Sequence, residues 1–270
     1  MTPDRFRPIA LCNVVYKIIS KIIANMLKPL LTTLISEEKT GYVEGKQILN
    51  NIIQTHEVVH SLISNRQEGM IMQLDLEKAY DKLNWAYIRK VLIAYGFNHN
   101  WVRWIMALVT TSSFSIMLNG SPSKPFNPTR GLRQGDPLSP FLFILMMEGL
   151  GKVIKSAKAE AKIQGLKLTM NRDALTHQQF VDDTMLQGTP MVREALAYKQ
   201  ILKNFALAAG TKVSLTKSKI FFFNTDIAIQ RNISRILGFQ RDMLPSKYLG
   251  VPLIEKPMSK AIWEPITNKL

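Results

Sequence analysis

The sequence predicts an α+β protein, and three observations carry that reading. Helical periodicity and strand-like runs are mixed along the chain, without the regular strand–helix–strand alternation of a parallel α/β sheet. A hairpin is written into residues 176–188, and a second turn into Asn119-Gly120. A hydrophobic content of 46% and a charged content of 20% over 270 residues support a sizeable core, one domain with subdomains rather than two independent folds.

The elements follow in chain order. Apolar pairs Val14-Val15, Ile18-Ile19, Ile22-Ile23, Met26-Leu27 and Leu30-Leu31 repeat every four residues, which predicts a helix with a buried stripe two residues wide. Lys17, Lys21, Asn25 and Lys28 line its other face, and Pro29 is expected to kink or end it. Residues 71–74 form a short apolar run after Gly69, read as a buried strand that delivers Asp75 at its end. Asn84 caps a helix running through Leu92 and ended by Gly96; a second helix spans about residues 101–109. Residues 114–118 read as a strand with Asn119-Gly120 as its turn, followed by an irregular Pro-rich loop over 121–135. Asp136-Pro137 predicts a helix start, an Asp cap with Pro in the first position, for a helix running to about Val153. Residues 192–207 are helical and stopped by Gly210, and strand-like runs lie within 213–223.

The formal net charge is +15, with most of the excess beyond residue 150. Such a balance points to phosphate-bearing partners, nucleic acid first, with a merely basic surface as the plain alternative. The basic residues are scattered rather than gathered beside an amphipathic anchor, so a membrane surface fits less well. No apolar run reaches the length of a membrane span, and Met1-Thr2-Pro3-Asp4-Arg5 lacks a signal-peptide core. Cys12 stands alone, which excludes an intrachain disulfide and a multi-cysteine zinc site.

Asp182-Asp183, set among Phe180, Val181, Met185 and Leu186, is the most informative stretch. Adjacent acids have poor strand propensity and fit a hairpin tip. Beside a second strand ending in Asp75 they would make a cage of hard oxygens suited to two divalent cations gripping a phosphoryl group. Surface acids, capped or ion-paired, are the simpler explanation for an isolated pair.

Other motifs narrow the choice. They run in order as Phe6-Arg7-Pro8-Ile9-Ala10-Leu11, Gly45-Lys46-Gln47-Ile48, Leu74-Asp75-Leu76-Glu77-Lys78-Ala79-Tyr80-Asp81, then Arg130-Gly131-Leu132-Arg133-Gln134-Gly135-Asp136-Pro137-Leu138-Ser139-Pro140, Phe180-Val181-Asp182-Asp183 and Tyr248-Leu249-Gly250-Val251-Pro252-Leu253. This series, spread over nearly the whole chain, resembles the reverse transcriptase domain of non-LTR (LINE-type) retrotransposons, particularly those of plants. The resemblance implies a right-hand polymerase core: partial fingers over residues 1–70, mainly palm with inserted fingers elements over 71–253, and the start of a truncated thumb or connection over 254–270, the thumb being largely absent. It implies RNA-directed DNA synthesis from deoxynucleoside triphosphates (dNTPs) on an RNA template and a DNA primer. Two Mg²⁺ ions, or Mn²⁺, would be held by Asp75, Asp182 and the Leu76 carbonyl, with Asp183 assisting. Intact relatives imply a longer polyprotein with an endonuclease, and a nuclear setting; no membrane is expected.

The resemblance also suggests individual roles. Tyr80 takes a position that packs under the sugar and excludes a 2′-hydroxyl, an ordinary core aromatic being the alternative. Gln134 and Gly135 lie against template and incoming nucleotide, with Arg133 in the same loop as a phosphate partner. Arg7 is a candidate for the triphosphate. Lys217 matches a lysine that protonates the leaving pyrophosphate, with Lys219 as its rival. Tyr248, Leu249 and Gly250 match the turn that supports the primer end.

Two departures stand out. Val181 replaces a more usual Ala, and Lys46 a more usual Arg, which keeps charge and loses the planar fork. The preceding fingers strand with its lysine, a full thumb, the endonuclease and a ribonuclease H domain are not in the sequence, so a catalytically inactive nucleic-acid-binding remnant is the alternative reading. His56-Glu57-Val58-Val59-His60 spells a zinc-protease pattern, but neither His99 nor His177 follows at a recognised spacing for the third ligand.

Overall fold

The computed structural model describes residues 9–167 and 173–254. It opens with α1 (Val14–Leu34), capped where Asn13 Oδ1 accepts from the Tyr16 amide at 2.7 Å. β1 (Lys39–Thr40), α2 (Ile48–Ser64) and β2 (Gly69–Leu74) follow, then a short α3 (Ala79–Lys82), α4 (Trp85–Ala94) and α5 (His99–Thr110). Asn84 caps α4 through the Ala86 amide, as its position predicts, and Gly96 lies just beyond the helix with φ +79°. β3 (Met117–Leu118) and β4 (Ser121–Pro122) pair around Asn119 and Gly120, both at positive φ, the turn that such a dipeptide favours. Next come α6 (Ser139–Ala159), the hairpin of β5 (His177–Phe180) and β6 (Asp183–Gly188), and α7 (Val192–Ala209), ended by Gly210. The described chain closes with β7 (Lys219–Phe223), α8 (Ile227–Leu237), β8 (Gln240–Arg241) and the hairpin β9 (Ser246–Tyr248) with β10 (Val251–Leu253).

The main sheet has the order β1-β5-β6-β2-β7-β8. β2 is central, antiparallel to both β6 and β7, while β1 and β8 add parallel edges. Alternation along β2 sorts its side chains between two cores. Met70, Met72 and Leu74 join the larger core with α4, α6 and α7. Ile71 faces a smaller one built from Val58, Val59 and Leu62 of α2 with Tyr248 and Leu253 of the last hairpin.

Three expectations need correction. The stripe on α1 is only half buried: Ile23, Leu27 and Leu31 are covered, whereas Val14, Ile18, Ile22, Met26 and Leu30 are exposed. Apolar residues four apart form one ridge, so the pairs supply two parallel ridges; the core takes only the second half of one, since Val15 and Ile19 are exposed as well. The exposed ridge borders a groove shared with Trp104 of α5. Of the two outcomes expected of Pro29, a kink or an end, the end is overturned: it lies inside α1, between buried Leu27 and Leu31. Finally, α6 starts at Ser139, two residues later than predicted. Asp136 still caps it, accepting from the Ser139 amide at 3.0 Å and hydroxyl at 2.8 Å, and also binds the Ser20 hydroxyl of α1. Its second partner draws Asp136 into the core and leaves Pro140, rather than Pro137, in the first turn.

A buried polar layer joins β1 and β5 to α6. Lys39 is fully buried opposite Glu148, and burial brings its ammonium down to about 7 against the pull of that carboxylate. His177, beside Gly151 of α6, is pushed down to about 4 mainly by burial, with Glu38 opposing and Lys155, Lys39 and Lys158 reinforcing. The neutral ring is thus the native form. Its stabilising share is complete above about pH 6.5 and is lost as pH falls through about 4. Urea unfolding should show a loss on the order of 2–3 kcal/mol across that window that His177→Gln lacks; equal losses in both proteins would refute the assignment.

Candidate active site

The geometry of the site begins with strand register. β2 and β6 are paired up to Leu74 opposite Thr184. One step further sets Asp75 directly across from position 183, on the face shared by Ile71, Gln73 and Met185. β5 and β6 close through Phe180 opposite Asp183, which leaves Val181 and Asp182 as a two-residue turn. The hairpin tip and the strand end predicted to meet are therefore neighbours in one sheet.

The backbone of Asp75 is held on its other side. Ser218 Oγ accepts from the Asp75 amide at 3.1 Å, and the Ser214 amide donates to the Asp75 carbonyl at 2.8 Å. The Glu77 amide donates to the Lys212 carbonyl at 2.8 Å, so Leu76 and Val213 form a pair without mutual hydrogen bonds. The Leu76 carbonyl consequently points away from Val213, toward the hairpin side. Ser214 and Ser218 carry no sequence signal that marks them, because serines beside turns are common.

The candidate donors are the carboxylates of Asp75, Asp182 and Asp183 and the Leu76 carbonyl, all hard oxygen. Asp75 makes no side-chain hydrogen bond or ion pair among the described residues. Also among the described residues, no three His, Cys, Asp or Glu side chains gather into a finished cage. Mg²⁺ needs no such cage, since it usually takes one or two carboxylates and completes its shell with water and phosphate oxygens. The residues present fit such an ion.

Val181 sits at φ +55°, a conformation costly for a β-branched residue. Gly41, just after β1, packs on it: a Cβ built there would lie 2.9 Å from Val181 Cγ2. Behind the tip, Tyr80 stacks on Phe143 with centroids 4.3 Å apart. Burial pushes its hydroxyl well above its usual range, and Tyr42 and the Asp182 charge add to this. Tyr80 is thus half-buried within reach of Asp182's field.

The loop over 130–135 docks on α3. The Leu132 amide donates to the Tyr80 carbonyl at 2.7 Å, and Gln134 Nε2 lies 3.3 Å from Asp81 Oδ1. Gly131 (φ +91°) passes so close to α3 that a Cβ would meet the Asp81 carbonyl oxygen at 2.5 Å. Gly135 is exposed at φ +97°, and the Gln134 carbonyl accepts from the Ala10 amide at 2.8 Å. Arg133 behaves differently: its guanidinium donates to the Leu108 carbonyl at 2.6 Å and covers the Tyr16 ring at 4.1 Å, tying the loop to α5 and α1. Lys217 is exposed in the turn beside Ser218, whereas Lys219 is bound to Asp242 at 2.6 Å. Arg7 lies outside the described residues.

Tyr248, Leu249 and Gly250 form the tip of the last hairpin, with Leu249 and Gly250 at positive φ. Gln73 Nε2 donates to the Lys247 carbonyl at 3.2 Å, which brings this hairpin over the Asp75 face of β2. The buried Tyr248 hydroxyl is pushed up to about 12, first by burial and then by the Asp183 charge, with Asn51 and Thr55 beside it. Of the zinc-like pattern, His56 faces the Pro252 carbonyl and His60 lies near the Ser64 hydroxyl.

Residues 2–253 match the family described as reverse transcriptase (RNA-dependent DNA polymerase). The chain is 26% identical over 213 residues to the transposon TX1 uncharacterized 149 kDa protein of Xenopus laevis, covering 79% of this chain and 16% of that protein. It is 30% identical over 217 residues to the Pol polyprotein of the type-2 retrotransposable element R2DM of Drosophila melanogaster, covering 80% of this chain and 19% of that protein. The chain thus spans under a fifth of the length of these relatives. Among solved structures, telomerase from Candida albicans superimposes with a TM-score of 0.57 at 14% identity, over 88% of this chain and 36% of that one, which is a likeness of fold.

The contact of Gly41 with the hairpin tip yields a double-mutant test. Gly41→Ala should cost about 2 kcal/mol in urea unfolding, from its positive φ and the Val181 clash together. In a Val181→Ala background the cost should fall by roughly half, because the clashing methyl is gone. Strict additivity would show that the two residues do not touch.

Proposed function

Because this chain belongs to the reverse transcriptase (RNA-dependent DNA polymerase) family and has the α+β fold of a right-hand polymerase core, we propose that it extends a DNA primer on an RNA template. The observation that carries the proposal is the register of β2 and β6, which sets Asp75 across from Asp183 with Asp182 in the adjoining turn. The domain reading goes with it: residues 1–70 contribute fingers, 71–253 mainly palm, and 254–270 the start of a thumb or connection. The relatives are retrotransposon proteins of the non-LTR type, and the motif series supports a plant element within that class.

In this reading Asp75, Asp182 and the Leu76 carbonyl hold divalent cations, with Asp183 assisting. Bound there, Mg²⁺ or Mn²⁺ would polarise a 3′-hydroxyl and stabilise charge on the leaving pyrophosphate. The chain's own residues do the positioning. Ser214 and Ser218 clamp the Asp75 backbone so that its carboxylate is aimed by the sheet rather than by a loop. Tyr80, stiffened by Phe143, offers an edge against which a ribose 2′-hydroxyl would clash. Gln134 and Gly135 line the approach of template and nucleotide, and the missing side chain of Gly135 leaves room for the Ala10 carbonyl, which a Cβ would meet at 3.2 Å. The exposed ammonium of Lys217, next to Ser218, is free to meet a pyrophosphate, and Lys219 is less suited because Asp242 already holds it. Arg7 is kept as a triphosphate contact on the motif alone. Arg133 acts indirectly, by bracing the loop on α5 and α1. Tyr248, Leu249 and Gly250 support the primer end. In a complete element the chain would work within a polyprotein alongside an endonuclease.

Primer extension on an RNA template tests the proposal. Asp75→Asn and Asp182→Asn should each lower extension by about 10²–10³-fold or more while primer–template binding persists. Salt-sensitive binding with no extension in either Mg²⁺ or Mn²⁺ would instead identify a non-catalytic remnant. Full extension by both variants would remove the assigned acids.

A further inference from the structure

Three buried polar atoms crowd the seam between α2, β5 and β9 with no hydrogen-bond partner: Asn51 Nδ2, Gln178 Nε2 and Tyr248 Oη. Their residues are 3%, 1% and 3% exposed. The rest of the seam is bonded. Thr40 Oγ1 donates to Asn51 Oδ1 at 2.8 Å, and Thr55 Oγ1 lies 2.7 Å from Gln178 Oε1. These contacts use the oxygen of each amide and leave its NH₂ group unused. Asn51 lies beside the Tyr248 hydroxyl, and Gln178 is bonded to Thr55, which lies beside it too, so two unused donors belong to the same seam as a phenol oxygen with no partner. Burying all three unpaired is unfavourable, and the phenol oxygen is the acceptor that the amides lack.

The place of this seam matters more than its energy. Tyr248 sits at the tip of the hairpin that lies over the Asp75 face of β2, and its hydroxyl feels the Asp183 charge. Val58, Val59 and Leu62 of α2 pack on Tyr248 and Leu253, and His56 of the same helix faces the Pro252 carbonyl. One helix therefore touches both strands of that hairpin. Resting on the polymerase reading above, we propose that Asn51 and Gln178 are positioning residues, which hold the Tyr248 hydroxyl and thereby fix the β9–β10 turn against Asp183, setting where a primer 3′ end lies. The hydroxyl accepts from the amides and directs its own proton toward Asp183. A shift of α2 would then be felt at the primer terminus without any change in the acids themselves.

The experiment uses the 270-residue chain with Tyr248→Phe, Asn51→Leu and the double variant. Two quantities are followed: hydrogen exchange of the amides in residues 246–253, and KM for primer–template against KM for dNTP. Each single variant should speed exchange in that segment and raise the primer–template KM by roughly threefold to tenfold, with the dNTP KM unmoved. The double variant should be no worse than the worse single, since both remove one tether. Unchanged exchange, additive effects, or equal rises in both KM values would overturn the proposal; faster exchange throughout the sheet would reduce the seam to general stability and overturn it too. Tyr248→Phe, which deletes a single oxygen, decides the matter alone if Asn51→Leu does not fold. Should the unaltered chain extend no primer, the polymerase reading fails, and non-additive exchange in residues 246–253 still decides whether the tether exists.

Discussion

Two acids, at positions 75 and 183, stand opposite each other across neighbouring strands, and the sheet fixes that pairing of their backbones. The β2–β6 ladder runs unbroken up to Leu74 and Thr184, so the next pair is set by register rather than by side-chain preference. It is held by everything behind it: Met72, Leu74 and Leu186 in the larger core, and serines that clamp the Asp75 backbone. Hard carboxylate oxygens so placed are of the kind that divalent cations and their phosphate ligands favour.

The strained tip belongs to the same logic. Val181 at positive φ is not a residue that a free hairpin would select. It is tolerated because Gly41 and Phe180 close around it, linking the first edge strand to the turn that carries Asp182. On the opposite flank α2 and the last hairpin share a small core and a polar seam, so the face bearing the acids is bounded by elements drawn from both ends of the chain. The site is thus a property of packing among distant segments, with the central sheet as the common reference.

Much of this was legible beforehand, and the failures have physical causes. The caps at Asn84, the turns at Asn119-Gly120 and the ending of α7 at Gly210 were readable because each depends on a few adjacent residues. The Asp182-Asp183 hairpin was readable for the same reason. The burial of α1 was not, since its two apolar ridges are equivalent in the sequence and only packing against α6 and α5 decides which of their residues are covered. The sequence marks Asp136 as a cap but not as a partner of Ser20, a residue far away in the chain. Arg133 reads as a phosphate ligand in its motif, yet a carbonyl of α5 and a ring of α1 hold its guanidinium.

Taken alone, the sequence determined the class of fold and most of its elements in order, and it marked the acids proposed for the chemistry. Periodicity, turn residues and ordered motifs are all written within short windows, and so survive without coordinates. Tertiary structure alone decided which carboxylate faces which, which arginine is spent on packing, and how α2 reaches the tyrosine beside Asp183. Those outcomes depend on contacts between residues far apart in the chain, where no local pattern distinguishes one pairing from another.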